Sequence, residues 1–197
     1  MTDHSTTPTR LVWLDLETTG LDPAHGSILE IGIVVTDLEL NEIDRRAWIL
    51  PYVRDSIIAS MDDYVLNMHM ANGLLKEVWG EPSIRETSLQ LQQRLAKERS
   101  EIGRSVAQWI KAISGDSSSK SARYLAGSSI HFDRAWLAVH FPGILETVSY
   151  RMLDVSTFKV AFPGLLSQRE GGPAHRALGD LDYSIDQLQQ MREKAGL

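Results

Sequence analysis

Residues 11–16 read Leu-Val-Trp-Leu-Asp-Leu, and residues 28–37 read Ile-Leu-Glu-Ile-Gly-Ile-Val-Val-Thr-Asp. Both runs are short and apolar and are bounded by turn residues, so both predict buried strands. Between them lies Glu17-Thr-Thr-Gly-Leu-Asp-Pro23, where Gly20 and Pro23 mark a turn. Leu38 to Asn41 turns the chain again, and residues 43–50 give a third strand with weaker alternation. The connections are too short for the crossover that a parallel pair requires, so the three strands should form an antiparallel meander.

Beyond this meander the period changes. Asp55 to Trp79 is patterned as helix, broken near Asn72-Gly73. Ser83 and Glu86 have capping-box spacing and predict the start of a long helix. Its Leu95, Ile102, Val106, Trp109, Ile110 and Ile113 follow helical spacing. Residues 115–121 form a polar, Ser-rich loop. Residues 123–128 predict a fourth strand, followed by a short helix from about Asp133 to His140. Residues 149–154 predict a fifth strand, and Asp154-Val-Ser-Thr157 begins another helix. After a polar loop at 164–173, a last helix from about Ala174 to Lys194 buries Leu178, Leu181, Ile185 and Leu188. The order implies an α/β fold in which helices flank a mixed sheet, the meander plus parallel strands. There is no internal repeat and no linker. We therefore expect a single domain over 11–194 after a disordered polar lead-in at 1–10.

A chain of 197 residues can bury roughly 70% of the surface that its unfolded form exposes. It needs no disulfide, and it has no cysteine, which also excludes thiolate metal sites and thiol nucleophiles. The 26 acidic residues outnumber the 20 basic ones, for a formal charge of −6. No run of Lys and Arg forms the basic stripe used to grip long nucleic acid. A nucleic-acid substrate would therefore be short, or held by metal ions and a few placed groups. No stretch approaches the ~20 apolar residues of a membrane span, and the polar N-terminus lacks a signal-peptide core. A cytoplasmic location is expected, or a mitochondrial one in a eukaryote.

Three places could carry chemistry. Asp15 and Glu17, two apart on a strand, point to one face roughly 7 Å apart. Such a pair can hold two ions ~3.5–4 Å apart. Equally, it could be a strand end reaching solvent. Asp133 follows a strand end and a Gly-Ser turn, the position where ligand crevices form in α/β sheets. It could equally complement a helix N-terminus. His175 and Asp180 lie at the start of the last helix, on different faces, a spacing that can put the ring at the mouth of a site and the acid beneath it. A neutral His there is a natural general base near pH 7. The alternative is a capping His and a solvated acid, with Asp182 as a rival carboxylate.

Together, the order of these residues resembles the DEDDh 3′→5′ exonucleases, which have a ribonuclease H-like fold. Trp13-Leu-Asp-Leu-Glu-Thr-Thr-Gly-Leu-Asp22 is similar to that family's first motif, Gly127 to Asp133 to its second, and His175 to Asp180 to its His-x4-Asp third. Met61-Asp-Asp-Tyr-Val-Leu-Asn-Met-His69, Gly73-Leu74 and Tyr150-Arg-Met-Leu-Asp-Val-Ser-Thr157 further resemble the oligoribonuclease branch.

The resemblance implies that Asp15, Glu17, Asp133 and Asp180 hold two divalent cations, Mg²⁺ or Mn²⁺, with His175 as general base. It implies that Leu21 and Tyr64 pack against bases and that His69 touches the substrate. Ser129, Arg151, Ser156 and Thr157 would cap the 5′ phosphate of a dinucleotide, and Tyr150 would act across a homodimer. The implied substrate is short RNA, cut to 5′ mononucleotides. The alternatives are a DNA proofreading or repair exonuclease and an inactive RNA-binding protein. Three positions depart from the family: Tyr64 replaces a frequent Trp, Ser128 a usual Asn, and Gly179 a frequent acid.

Overall fold

The computed structural model describes residues 9–83, 86–113, 120–162 and 175–196. The expected lead-in at 1–10 and the loops at 115–121 and 164–173 lie wholly or mostly outside these residues.

Among the described residues, five strands form one sheet in the order β3-β2-β1-β4-β5. β1 (Arg10–Thr18), β2 (Ile28–Thr36) and β3 (Glu42–Ile49) form the expected antiparallel meander. β4 (Arg123–Gly127) pairs parallel to β1, and β5 (Met152–Asp154) parallel to β4. The fifth strand is shorter than the expected 149–154. It begins only at Met152, because Ser149 already gives its N–H to the Arg123 carbonyl as the chain turns in.

β1 is central and buried on both faces, and its alternation feeds two cores. Val12, Leu14 and Leu16 join a cluster with Val106, Ile110, Trp136 and Leu137. These belong to α4 (Ser88–Ile113) and α5 (Ile130–His140). Leu11 and Trp13 point the other way, to Leu181, Leu188 and Met191 of α8 (Ala177–Ala195). At roughly 1.5–3 kcal/mol for each fully buried side chain, these clusters fix which face of β1 meets which helix. A third cluster, around Leu29 and Ile57, holds α1 (Arg54–Ile58) and α3 (Leu74–Val78) under α2 (Asp63–Ala71).

Three boundaries shift. The long helix starts at Ser88 and is boxed by Thr87 and Gln90. The Gln90 N–H reaches Thr87 Oγ1 at 3.3 Å, and Thr87 N–H reaches Gln90 Oε1 at 2.9 Å. Ser83 and Glu86 make half of a box one turn earlier, with the Ser83 N–H on Glu86 Oε2 at 3.1 Å. α5 begins at Ile130, three residues before the expected start, so Asp133 lies within its first turn. α8 begins at Ala177 and not at Ala174. Between α5 and β5 lies α6 (Pro142–Leu145), and α7 (Val155–Ala161) follows β5. Among the described residues, no helix is long and apolar enough to cross a membrane.

Candidate active site

Asp15 and Glu17 share the face of Leu11 and Trp13, so both side chains meet α8. The approach of that helix is set on the neighbouring strand. Gly32 pairs with Asp15, and a Cβ at Gly32 would lie 2.5 Å from the Ala177 Cβ. The missing side chain lets the first turn of α8 rest on the sheet. Asp180 then comes down beside the strand pair. Single carboxylate oxygens of Asp15, Glu17 and Asp180 all lie within 4.8 Å of one another.

Asp133 reaches the same place from the opposite helix. β4 pairs with β1 only as far as Trp13, which leaves the later β1 amides on that side without a strand partner. The Leu16 N–H donates to Asp133 Oδ1 at 3.0 Å. The turn into α5 places it there: Ser129 sits in the left-handed region at φ 58°, with its N–H on Asp154 Oδ1 at 2.8 Å.

The electrostatics follow from burial and crowding. Desolvation, and then the charges of Asp133, Glu17 and Asp180, push Asp15 well above the usual carboxylate range. Desolvation followed by the Asp180 and Glu30 charges raises Glu17 to about 8. Desolvation raises Asp133 to about 7, against the lowering effect of its backbone hydrogen bonds. Such a set suits hard cations that take oxygen ligands.

His69 is fully buried behind the cluster. Its Nε2 lies 3.0 Å from the Thr18 carbonyl, which can only accept, so the proton sits on Nε2. Nδ1 then faces Glu17 Oε2 at 3.9 Å and has no hydrogen-bond partner among the described residues. Burial lowers the pKa of this imidazole, and the nearby His175 lowers it further. His175 is near enough for its charge to act on His69. It occupies the left-handed region at φ 50°, immediately before α8, and its carbonyl accepts from Asn72 Nδ2.

At the rim, Leu21 is 85% exposed and Tyr64 73%. Both are large side chains standing in solvent, Leu21 in the turn after β1 and Tyr64 on α2, the helix that carries His69. Asp182 is not part of the cluster; it pairs with Arg45 at 3.0 Å on the surface.

The four residues expected to cap a phosphate are arranged around Asp154. Its Oδ1 takes the Ser129 N–H, the Ser156 N–H at 2.9 Å and the Ser156 hydroxyl at 2.6 Å. Partial burial works to raise this carboxyl, but those hydrogen bonds outweigh it and hold it below its ordinary value. Arg151 and Thr157 line a cavity of about 540 Å³ with Asp154 and Phe158. The Arg151 guanidinium lies over the Tyr150 ring, 5.3 Å from its centre.

The residues that sequence reasoning missed are Glu30, Gly32, Asn72 and Arg176. Glu30 and Gly32 left a trace, since a lone acid and a mid-strand glycine interrupt an otherwise apolar β2.

The exonuclease family of the ribonuclease T type matches residues 12–188. Oligoribonuclease of Corynebacterium glutamicum is 34% identical, over 96% of this chain and 84% of its own length. A probable oligoribonuclease of Dictyostelium discoideum is 32% identical, over 95% of this chain and 97% of its own. This chain belongs to the oligoribonuclease family. Oligoribonuclease of Mycobacterium ulcerans, at 35% identity over 94% of this chain and 80% of its own, is a further relative. The fold is that of exonuclease I from Methylocaldum szegediense, at TM-score 0.60 and 17% identity over 94% of this chain. It is also that of a zinc-bound complex of E. coli exonuclease I with single-stranded DNA, at TM-score 0.62 and 12% identity. The chain spans about 40% of those longer exonuclease I chains. Membership in the oligoribonuclease family makes the chain a nuclease with the ribonuclease H-like mixed sheet expected from its sequence.

Proposed function

We propose that the chain is a 3′→5′ exoribonuclease that hydrolyses very short RNA, dinucleotides above all, to 5′ mononucleotides. The observation that carries this reading is the convergence of Asp15, Glu17 and Asp180 oxygens within 4.8 Å, with His175 at the same helix start. Asp15, Glu17, Asp133 and Asp180 would hold two Mg²⁺ or Mn²⁺ ions. When bound, these ions supply a water acidified toward neutral pH and positive charge for the oxygens of the transition state.

The chain's own groups do the rest. His175 takes the proton of the attacking water as its oxygen bonds to phosphorus. The bond from phosphorus to the 3′ oxygen breaks, and solvent returns a proton to that oxygen. Leu21 and Tyr64 would hold the two bases, and His69, expected to touch the substrate but fully buried, would instead support Glu17 from behind with its unprotonated Nδ1. Arg151 and Thr157 would draw a 5′ phosphate, with the Ser129 and Ser156 hydroxyls at its edge. Asp154 opposes this attraction, so the cap rests chiefly on the guanidinium.

A charge-assisted pair of this kind contributes ~1.5–3 kcal/mol, or roughly 10–150-fold in affinity. The pure protein with Mg²⁺ should therefore consume labelled RNA of two nucleotides faster than RNA of five to ten, and faster than DNA of equal length. In Ca²⁺, a dinucleotide bearing a 5′ phosphate should bind at least ~10-fold more tightly than one without it. Arg151→Ala should erase most of that difference. Equal binding of the two dinucleotides would remove the cap, and a preference for DNA would make the enzyme a DNA exonuclease.

We further propose a homodimer. β5 is an edge strand, and exposed Tyr150, Met152, Phe158, Val160 and Phe162 cluster in sequence beside it. Such an edge is normally covered. Light scattering at micromolar concentration should give about twice the 22.0 kDa chain mass; an active monomer would refute it.

A further inference from the structure

His175 stands in a backbone conformation that costs an L-residue roughly 1–2 kcal/mol. Such strain persists only where neighbours over-determine it. Here the neighbours come from three separate elements. Asn72, the C-cap of α2, donates its side-chain N–H to the His175 carbonyl, while its own oxygen takes the Leu74 N–H at 2.9 Å. The next residue, Arg176, forks in two directions. Its Nε and Nη2 reach the two oxygens of Glu30 on β2, at 3.1 and 3.2 Å. Its Nη1 and Nη2 reach the two oxygens of Glu77 on α3, at 2.8 and 3.2 Å. Glu30, with only 3% of its side chain exposed, also takes the Ala177 N–H at 3.2 Å, at the first residue of α8.

We infer that Asn72, Glu77, Arg176 and Glu30 are positioning residues that clamp the backbone at His175 and just after it, and so aim its imidazole at the reacting water. The inference rests on the general-base reading of His175. None of the four needs to touch substrate. A planar guanidinium satisfies two carboxylates at once, which a lysine cannot do in the same geometry. Two such pairs and an amide hydrogen bond hold the His175 carbonyl and the two residues that follow it, Arg176 and Ala177.

The clamp can be loosened from its solvent side, because Glu77 is exposed and Asn72 half-buried. Arg176→Gln would strand the buried Glu30 and could unfold the chain, so the test uses Asn72→Ala/Glu77→Gln. If the clamp acts through His175, this variant loses kcat by about 10–100-fold, with KM within about twofold and dinucleotide binding in Ca²⁺ unchanged. In a His175→Ala background the same two substitutions should cost less than about twofold further, because the group they aim is gone. An equal fold-loss in both backgrounds would make the clamp merely structural and overturn the inference, as would an unchanged kcat in the first. If His175→Ala alone keeps its kcat, the general-base reading fails, and the clamp's role falls with it.

Discussion

Asp15→Asn should destroy hydrolysis and, in the same protein stripped of metal, raise the melting temperature. Asp15, Glu17, Asp133 and Asp180 crowd one end of β1; burial and mutual repulsion push Asp15 and Glu17 upward, Glu17 to about 8, and burial pushes Asp133 to about 7. In the unfolded chain, carboxyls ionise near pH 4. Between about pH 4 and pH 8 the folded state therefore holds protons that the unfolded state has released. Stability falls with rising pH wherever the native state binds more protons. The metal-free protein should thus be most stable near pH 5 and lose stability progressively up to pH 8. Cations binding the folded state should restore it.

Asn at position 15 keeps the shape and removes the cost of burying an ionisable carboxyl among other acids. Relief of about 1 kcal/mol raises Tm by about 2–4 °C for a chain of this size. The accompanying loss of activity should be on the order of 10³-fold, the scale of losing a group that stabilises the transition state. Thermal melts in EDTA at pH 5 and 8, with and without Mg²⁺, check this. A Tm indifferent to pH, to Mg²⁺ and to Asp15→Asn would mean that the cluster carries no such repulsion, and full turnover in EDTA would sink the metal reading.

The second large effect belongs to His175. Its removal should lower kcat by ~10²–10⁴, the usual worth of a placed general base. His175→Asn is the sharper variant, because Asn tolerates the left-handed region and keeps the backbone as it is. A loss shared by His175→Ala and His175→Asn, with normal Tm and normal dinucleotide binding in Ca²⁺, isolates the imidazole. Near-normal kcat in both would return His175 to a feature of the helix start.

The strands of the meander were legible because β1 and β2 are buried on both faces, and such strands read as unbroken apolar runs. Asp15, Glu17, Asp133, His175 and Asp180 were legible as a set because they belong to motifs of a known family. The start of α4 was not, since Ser83/Glu86 and Thr87/Gln90 are two boxes four residues apart. Spacing alone cannot rank them. The hydrogen bonds that Asp154 takes from Ser129 and Ser156 were also not legible. Asp154 is an excellent N-cap, and a local partner takes Ser156 before any ligand arrives. The clamp around His175 was illegible in a deeper sense. A lone Glu30 in an apolar strand announces that a buried acid needs a partner, but nothing near it in sequence says which arginine.

Separation along the sequence sets the order in which the molecule can be built. The Leu16–Asp133 hydrogen bond joins residues 117 apart, Asn72 and His175 are 103 apart, and Glu30 and Arg176 are 146 apart. Each of these contacts closes most of the chain into a loop, a cost that must be met before any reward comes back. The meander at the N-terminus can form from neighbours alone; the chemistry cannot exist until α8 has come home across it. Recovery of turnover during refolding therefore times the docking of the last helix, and should lag behind the recovery of sheet signal.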